Sequence, residues 1–200
     1  MGIDLGKTRD HTAIAIIERR DTARAFLSPM FDCLLLRHAE RVPLGTSYPQ
    51  VVERVRRMAI HEELRGQCAI AVDATGVGAP VVDLLRSARL GCEVSAVNIT
   101  GGEKETQSGN VWNVPKKDLM AGVQVLLEKR QLKIARSLKE TGALVRELSD
   151  VRMTAGSGGR VRMGADGCGQ HDDLVIALAL GCWRAKRGQN GFGTRRLPGI

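Results

Sequence analysis

The 200-residue chain is 43% hydrophobic and 26% charged, the balance of an ordinary globular protein with enough length for one α/β core. Its formal net charge of +8 fits a polyanionic partner and a merely solubilising surface equally well, so charge alone decides nothing. Aromatics at 3% argue against a single-strand binder that stacks bases on rings. No signal-peptide pattern or twenty-residue apolar run occurs, which argues against secretion and membrane insertion and for the cytoplasm.

Residues 1–5 read as a strand ending at Gly6, and a polar turn over 7–11 leads to a second strand over 12–17. A third apolar run covers 31–36. Val51, Val52, Val55, Met58 and Ala59 recur at helical spacing within 49–64. A compact strand over 68–72 stops at Asp73, and a Gly-rich turn over 74–78 precedes a helix from Pro80 to about residue 89. The next strand is 92–99. Residues 101–110 are polar and read as a mobile loop, followed by helices over 116–130 and 139–148.

Residues 151–153 and 160–163, joined by Ala-Gly-Ser-Gly-Gly, read as a hairpin with a basic tip, and the last helix runs from about 171 to 186. Hairpins followed by strand–helix units imply a mixed β-sheet flanked by helices, here with an additional β-hairpin near the C-terminus. The expected organisation is one domain over 1–187 and a flexible basic tail over 188–200. The five cysteines (Cys33, Cys68, Cys92, Cys168, Cys182) form no CxxC pair, so neither a zinc site nor a disulfide framework is indicated. Cys33, Cys68 and Cys182 lie in or beside apolar runs, as buried thiols do.

Three places put carboxylates where an apolar element meets a sheet edge: Asp4 in the first strand, Asp73 at the end of the fourth, and Asp172 with Asp173 at the start of the last helix. Singly, each has an ordinary structural reading, because Asp caps helices and begins turns. Asp4 is harder to explain so, since an unpaired carboxylate inside a short apolar strand is costly. Together they suit two hard divalent ions, Mg²⁺ or Mn²⁺, which take oxygen ligands and support in-line attack on a phosphodiester.

The segments Gly-Ile-Asp-Leu-Gly at 2–6 with Asp-His-Thr-Ala at 10–13, Val-Asp-Ala-Thr-Gly-Val-Gly at 72–78, and His-Asp-Asp-Leu-Val-Ile-Ala-Leu-Ala at 171–179 resemble the nuclease pattern of tailed-phage terminase large subunits. Val114-Pro115-Lys116-Lys117-Asp118-Leu119, followed by Leu126-Leu127 and Leu132-Lys133-Ile134, resembles a further stretch of that family. No single motif is specific; four in the right order, spanning most of the chain, are more so. The resemblance implies an RNase H-like fold and a two-metal endonuclease that cuts double-stranded DNA during packaging, alongside an ATPase motor, a portal and a small terminase subunit. It implies Asp4, Asp73, Asp172 and Asp173 as catalytic metal ligands, with the choice within the pair open, and Asp10 and His171 as additional candidates. Lys116, Lys117, Arg160 and Arg162 are candidates for DNA phosphate contacts.

One departure and three rivals frame that expectation. Gly2 to Thr8 falls one residue short of the phosphate-binding loop of ATPases, so motor activity is not expected of this chain. Holliday-junction resolvases of the RuvC or YqgF type share the Gly-Ile-Asp opening but not the Val-Pro-Lys stretch. An actin- or chaperone-like ATP-binding domain would need two lobes. A catalytically inactive DNA-binding module would bind DNA without its carboxylates. Residues 101–110 and the glycines around 156–159 are candidate gates.

Overall fold

The computed structural model of the chain describes residues 1–6, 10–20, 33–76, 78–155, 161–164 and 172–187. The strands are β1 (Gly2–Asp4), β2 (Ala13–Arg20), β3 (Cys33–Arg41), β4 (Ala69–Asp73), β5 (Glu93–Thr100), β6 (Thr106–Ser108), β7 (Val111–Pro115) and β8 (Leu132–Ile134). They form one sheet in the order β6-β7-β5-β4-β1-β2-β3-β8. The antiparallel meander β1–β2–β3 makes one half; β4, β5 and β7 run parallel to β1 and make the other. A separate hairpin joins β9 (Arg152–Ala155) to β10 (Val161–Gly164).

Two layers of helix cover the sheet. On one face, α1 (Tyr48–Ala59) and α2 (Gly78–Ser87) bury Val51, Val55, Val81 and Leu85 against Ile3, Ile14, Ile70 and Val72. On the other, α3 (Lys116–Glu128), α4 (Thr141–Asp150) and α5 (Asp173–Lys186) pack over Ala13, Ala15, Ala71 and Val97. This is the mixed α/β sheet flanked by helices, with a hairpin near the C-terminus, that the sequence implies. Among the described residues there is one main sheet and no second lobe of the kind a nucleotide clamp needs.

The small residues of β1 and β2 let α5 lie close. A Cβ on Gly2 would stand 2.1 Å from the Ala177 carbonyl oxygen and 2.3 Å from the Gly181 nitrogen. A Cβ on Gly181 would stand 2.7 Å from the Ile17 side chain. Every residue of α5 from Asp173 to Arg184 is buried, which is why no helical phase is visible in its sequence. Its far end is pinned: Trp183 meets Trp112 edge-on at 5.3 Å, and the Arg187 guanidinium lies 3.9 Å over the Trp183 ring. Glu105 accepts from both Trp183 Nε1 and Arg187.

The polar stretch 101–110 is not wholly a loop. Its second half supplies β6, antiparallel to β7 with Gln107 opposite Trp112. The three exposed polar residues of β6 carry no alternation, so backbone pairing alone defines the strand. β7 and β8 are not foreseen either, being too short to show alternation. Cys68 and Cys182 are buried as expected, whereas Cys33 is only partly so. His171, Arg160, Cys168, the glycines 156–159 and the tail 188–200 lie outside the described residues.

Candidate metal centre

The sheet register brings two of the expected carboxylates together. In the parallel pair β1–β4, Gly2 lies opposite Ala71 and Ile3 opposite Val72, so Asp4 and Asp73 are the next residues in the same register. Side chains alternate along a strand, so Asp4 shares the face of Gly2, and Asp73 that of Ala71, which packs with α5. The row continues both ways: Asp4 is opposite Ala13, Ala13 opposite Arg41, and Asp73 opposite Val97.

The N-terminus of α5 adds the other pair. Gly2 touches α5 at Ala177 and Gly181, and Gly181 meets Ile17, which lies beyond Ala15 on the side away from Asp4, so the helix start lies toward the Asp4 end of β1. Charge coupling agrees with the placement. Burial, and then the neighbouring charges of Asp73, Asp173 and Asp172, push the Asp4 carboxyl well above its usual range, while Lys116 pulls it back. Four carboxylates from β1, β4 and α5 thus converge on one end of the sheet.

Each neighbour of Asp4 also has a protein partner. Asp73 Oδ1 accepts from the Thr75 backbone N–H at 2.8 Å, the turn that ends β4. Asp172 Oδ2 accepts from Lys116 Nζ at 2.6 Å. Asp173, 6% exposed, has its Oδ2 3.7 Å from Arg41 Nε, an ion-pair distance too long for a hydrogen bond. Among the described residues no three His, Cys, Asp or Glu side chains are arranged to hold an ion outright. Their chemistry nevertheless fits a hard divalent cation: all donors are oxygens, and Asp4 is a buried carboxyl with three further carboxylates acting on it.

Two residues packed beside the cluster were not anticipated. Glu147 of α4 is 8% exposed, accepts the Val175 backbone N–H at 3.1 Å and is bonded by Arg41 Nη2. Burial pushes its carboxyl up to about 7, against the opposing pull of the Val175 N–H and Arg41. A glutamate three residues after Leu144 and one before Leu148, on a buried helical stripe, was the available signal. Arg41 is the other.

The remaining candidates separate. Lys116, a candidate for phosphate contact, bonds Asp172 and acts on Asp4. Lys117 pairs with Glu103, an exposed residue. Asp10 is exposed. Arg162 lies in β10 opposite Thr154.

No protein-family model matches the chain, and no curated protein matches it. Solved structures do. The large terminase nuclease of thermophilic phage G20c, with bound magnesium, aligns over 92% of this chain and 79% of its own, with TM-score 0.63 and 21% identity. A mutant nuclease domain of the large terminase subunit gp2 of bacterial virus Sf6, with manganese and beta-thujaplicinol, aligns over 88% and 89%, with TM-score 0.57 and 15% identity. The human cytomegalovirus terminase nuclease domain, soaked with manganese, aligns over 91% and 80%, with TM-score 0.51 and 15% identity. At these identities the likeness is one of fold: the chain has the RNase H-like α/β fold of terminase nuclease domains.

Proposed function

We propose that this chain is a metal-dependent endonuclease that cleaves double-stranded DNA, the nuclease part of a phage packaging machine that also uses an ATPase motor, a portal and a small subunit. The observation that carries the reading is the convergence of Asp4, Asp73, Asp172 and Asp173 on one sheet end, with Asp4 driven well above its usual range. The solved structures of this fold that contain magnesium or manganese add support from fold analogy.

When bound, two Mg²⁺ or Mn²⁺ ions would supply water activation and charge neutralisation at the scissile phosphate. The chain's own residues do the rest. Asp4 and Asp73 are fixed by the sheet, so their spacing does not depend on a loop. The N-terminus of α5 points its dipole toward incoming phosphate. Lys116 offsets part of the acidic charge that would otherwise repel DNA. Lys117, Arg160 and Arg162 remain proposed backbone contacts, and sequence selectivity is expected to be low because no groove-reading helix or zinc module is evident among the described residues.

The test is incubation with supercoiled plasmid in Mg²⁺, Mn²⁺ or EDTA, beside Asp4→Ala and Asp73→Ala. Cutting that requires metal and is lost in both variants supports the reading. Cutting that persists in both, or wild-type protein that binds DNA but never cuts it, refutes it. Branched and linear substrates compared at equal length separate a packaging nuclease from a junction resolvase.

A further inference from the structure

A helix that opens with two aspartates ordinarily turns one of them back on its own N-terminal N–H groups. Asp172 stands at the N-cap of α5 and makes no such bond; its Oδ2 is on Lys116. The donor it leaves is met from another helix, because Val175 N–H donates to Glu147 Oε2 at 3.1 Å. Glu147 also bonds Arg41 Nη2 through Oε1, and Arg41 Nε lies 3.7 Å from Asp173 Oδ2. Arg41 reaches this point because Ala13, between it and Asp4 in the row across the sheet, carries only a methyl group.

We infer that Arg41 and Glu147 are positioning residues of the proposed metal centre. Glu147 takes over the capping of α5 and so leaves Asp172 available to the site, while Arg41, anchored on Glu147, fixes Asp173 from behind. Neither touches metal or substrate. They act on the ligands as outer partners do in metal sites generally, where loss of such a partner weakens affinity or activity about 10- to 100-fold. The inference rests on the reading of the four aspartates as metal ligands.

The test uses the full chain with Glu147→Gln, Arg41→Gln and the double variant. Three quantities are read: the Mn²⁺ concentration that half-saturates the rise in melting temperature, the Mn²⁺ concentration for half-maximal plasmid cutting, and DNA binding in EDTA. Each single variant is expected to raise both Mn²⁺ midpoints by about tenfold, with DNA binding unchanged. The double variant is expected to be no worse than the worse single, because the two residues act in series, and Arg41→Lys recovers part of the loss. A network that only supports the fold lowers the melting temperature and leaves both midpoints in place, which overturns the inference.

Glu147→Gln keeps an oxygen acceptor for the Val175 N–H and removes the charge that anchors Arg41, while Glu147→Ala removes both, so this pair decides the matter should Arg41→Gln fail to fold. Wild type that responds to Mn²⁺ beside folded variants with its midpoints overturns this inference only. Wild type with no Mn²⁺ response at all removes the metal reading and this inference with it.

Discussion

Lys116 Nζ donates to Asp172 Oδ2 at 2.6 Å, so the cation that opens α3 is docked on a carboxylate at the start of α5. The same ammonium also lowers the cost of ionising Asp4. In the proposed metal centre Lys116 would therefore compete with the ion for Asp172.

Removing that competitor gives a signed prediction. Lys116→Met in the metal-free protein is expected to lower stability by about 1 kcal/mol, the scale of a part-exposed ion pair, because the carboxylates then repel one another with less compensation. The stabilisation gained on adding Mn²⁺ should in turn be larger than in wild type. Thermal melts with and without Mn²⁺ measure both. An unchanged or smaller Mn²⁺ gain would show that Lys116 does not compete with metal.

Asp4 predicts a pH dependence of the metal-free protein. Its ordinary value is 3.8, and the folded state raises it well above that through burial and then through Asp73, Asp173 and Asp172. The native state therefore holds a proton that the unfolded chain has released. Stability from this group is full below the unfolded value and falls as pH rises through the folded one. Asp4→Asn should raise metal-free stability at neutral pH by about 1–3 kcal/mol, the usual cost of an uncompensated buried polar group. The advantage should shrink toward pH 4, and Mn²⁺ should no longer stabilise the variant. Melts over that pH range in EDTA and Mn²⁺ read all three; an advantage that grows on acidification contradicts the assignment.

How far the sequence shows all this depends on which interactions are local. Asp4, Asp73 and the Asp172/Asp173 pair stand out because they interrupt, end and open apolar runs respectively. The parallel register that brings Asp4 beside Asp73 is only implied by the strand–helix order. Arg41 is hidden by a bulge. Ile16 pairs with His38 and Ile17 with Leu36, so Arg37 is the extra residue. Leu34 and Leu36 face the α5 layer, and simple alternation would put Arg41 on the opposite face. The bulge reverses the parity, so Ala39 and Arg41 face α5 instead. β6, β7 and β8 escape because three to five residues held by backbone pairing leave little pattern.

Lys117 predicts a change in DNA affinity. It is held by Glu103, whose side chain is 71% exposed. Glu103→Ala should free the ammonium for phosphate, tightening binding to duplex DNA modestly and steepening the salt dependence by about one counterion. Binding isotherms from 50 to 200 mM salt test this. A slope identical to wild type would place Lys117 away from the DNA.

Gly2 carries the geometry of the whole site, because it is where β1 touches the backbone of α5. A Cβ there would lie 2.1 Å from the Ala177 carbonyl oxygen and 2.9 Å from Gly181 Cα, and both are backbone atoms that no rotamer change moves aside. Gly2→Ala must therefore push α5 away from the sheet. Overpacking of this kind costs about 1–3 kcal/mol, and more where neither side yields. The consequence for function exceeds that for stability, since α5 carries Asp172 and Asp173 while Asp4 remains on the strand two residues from the wedge. Displacement of about 1 Å at a reaction centre costs on the order of 100-fold in rate. Gly2→Ala should thus fold, melt below wild type, bind DNA in EDTA normally and cut plasmid at least tens of times more slowly. The more compressible contact at Gly181, whose added Cβ meets the Ile17 side chain at 2.7 Å, should yield by side-chain movement. Gly181→Ala is then the milder variant in both melting temperature and cutting rate. The reverse ranking would mean that α5 does not bridge Gly2 and the carboxylates as a rigid element.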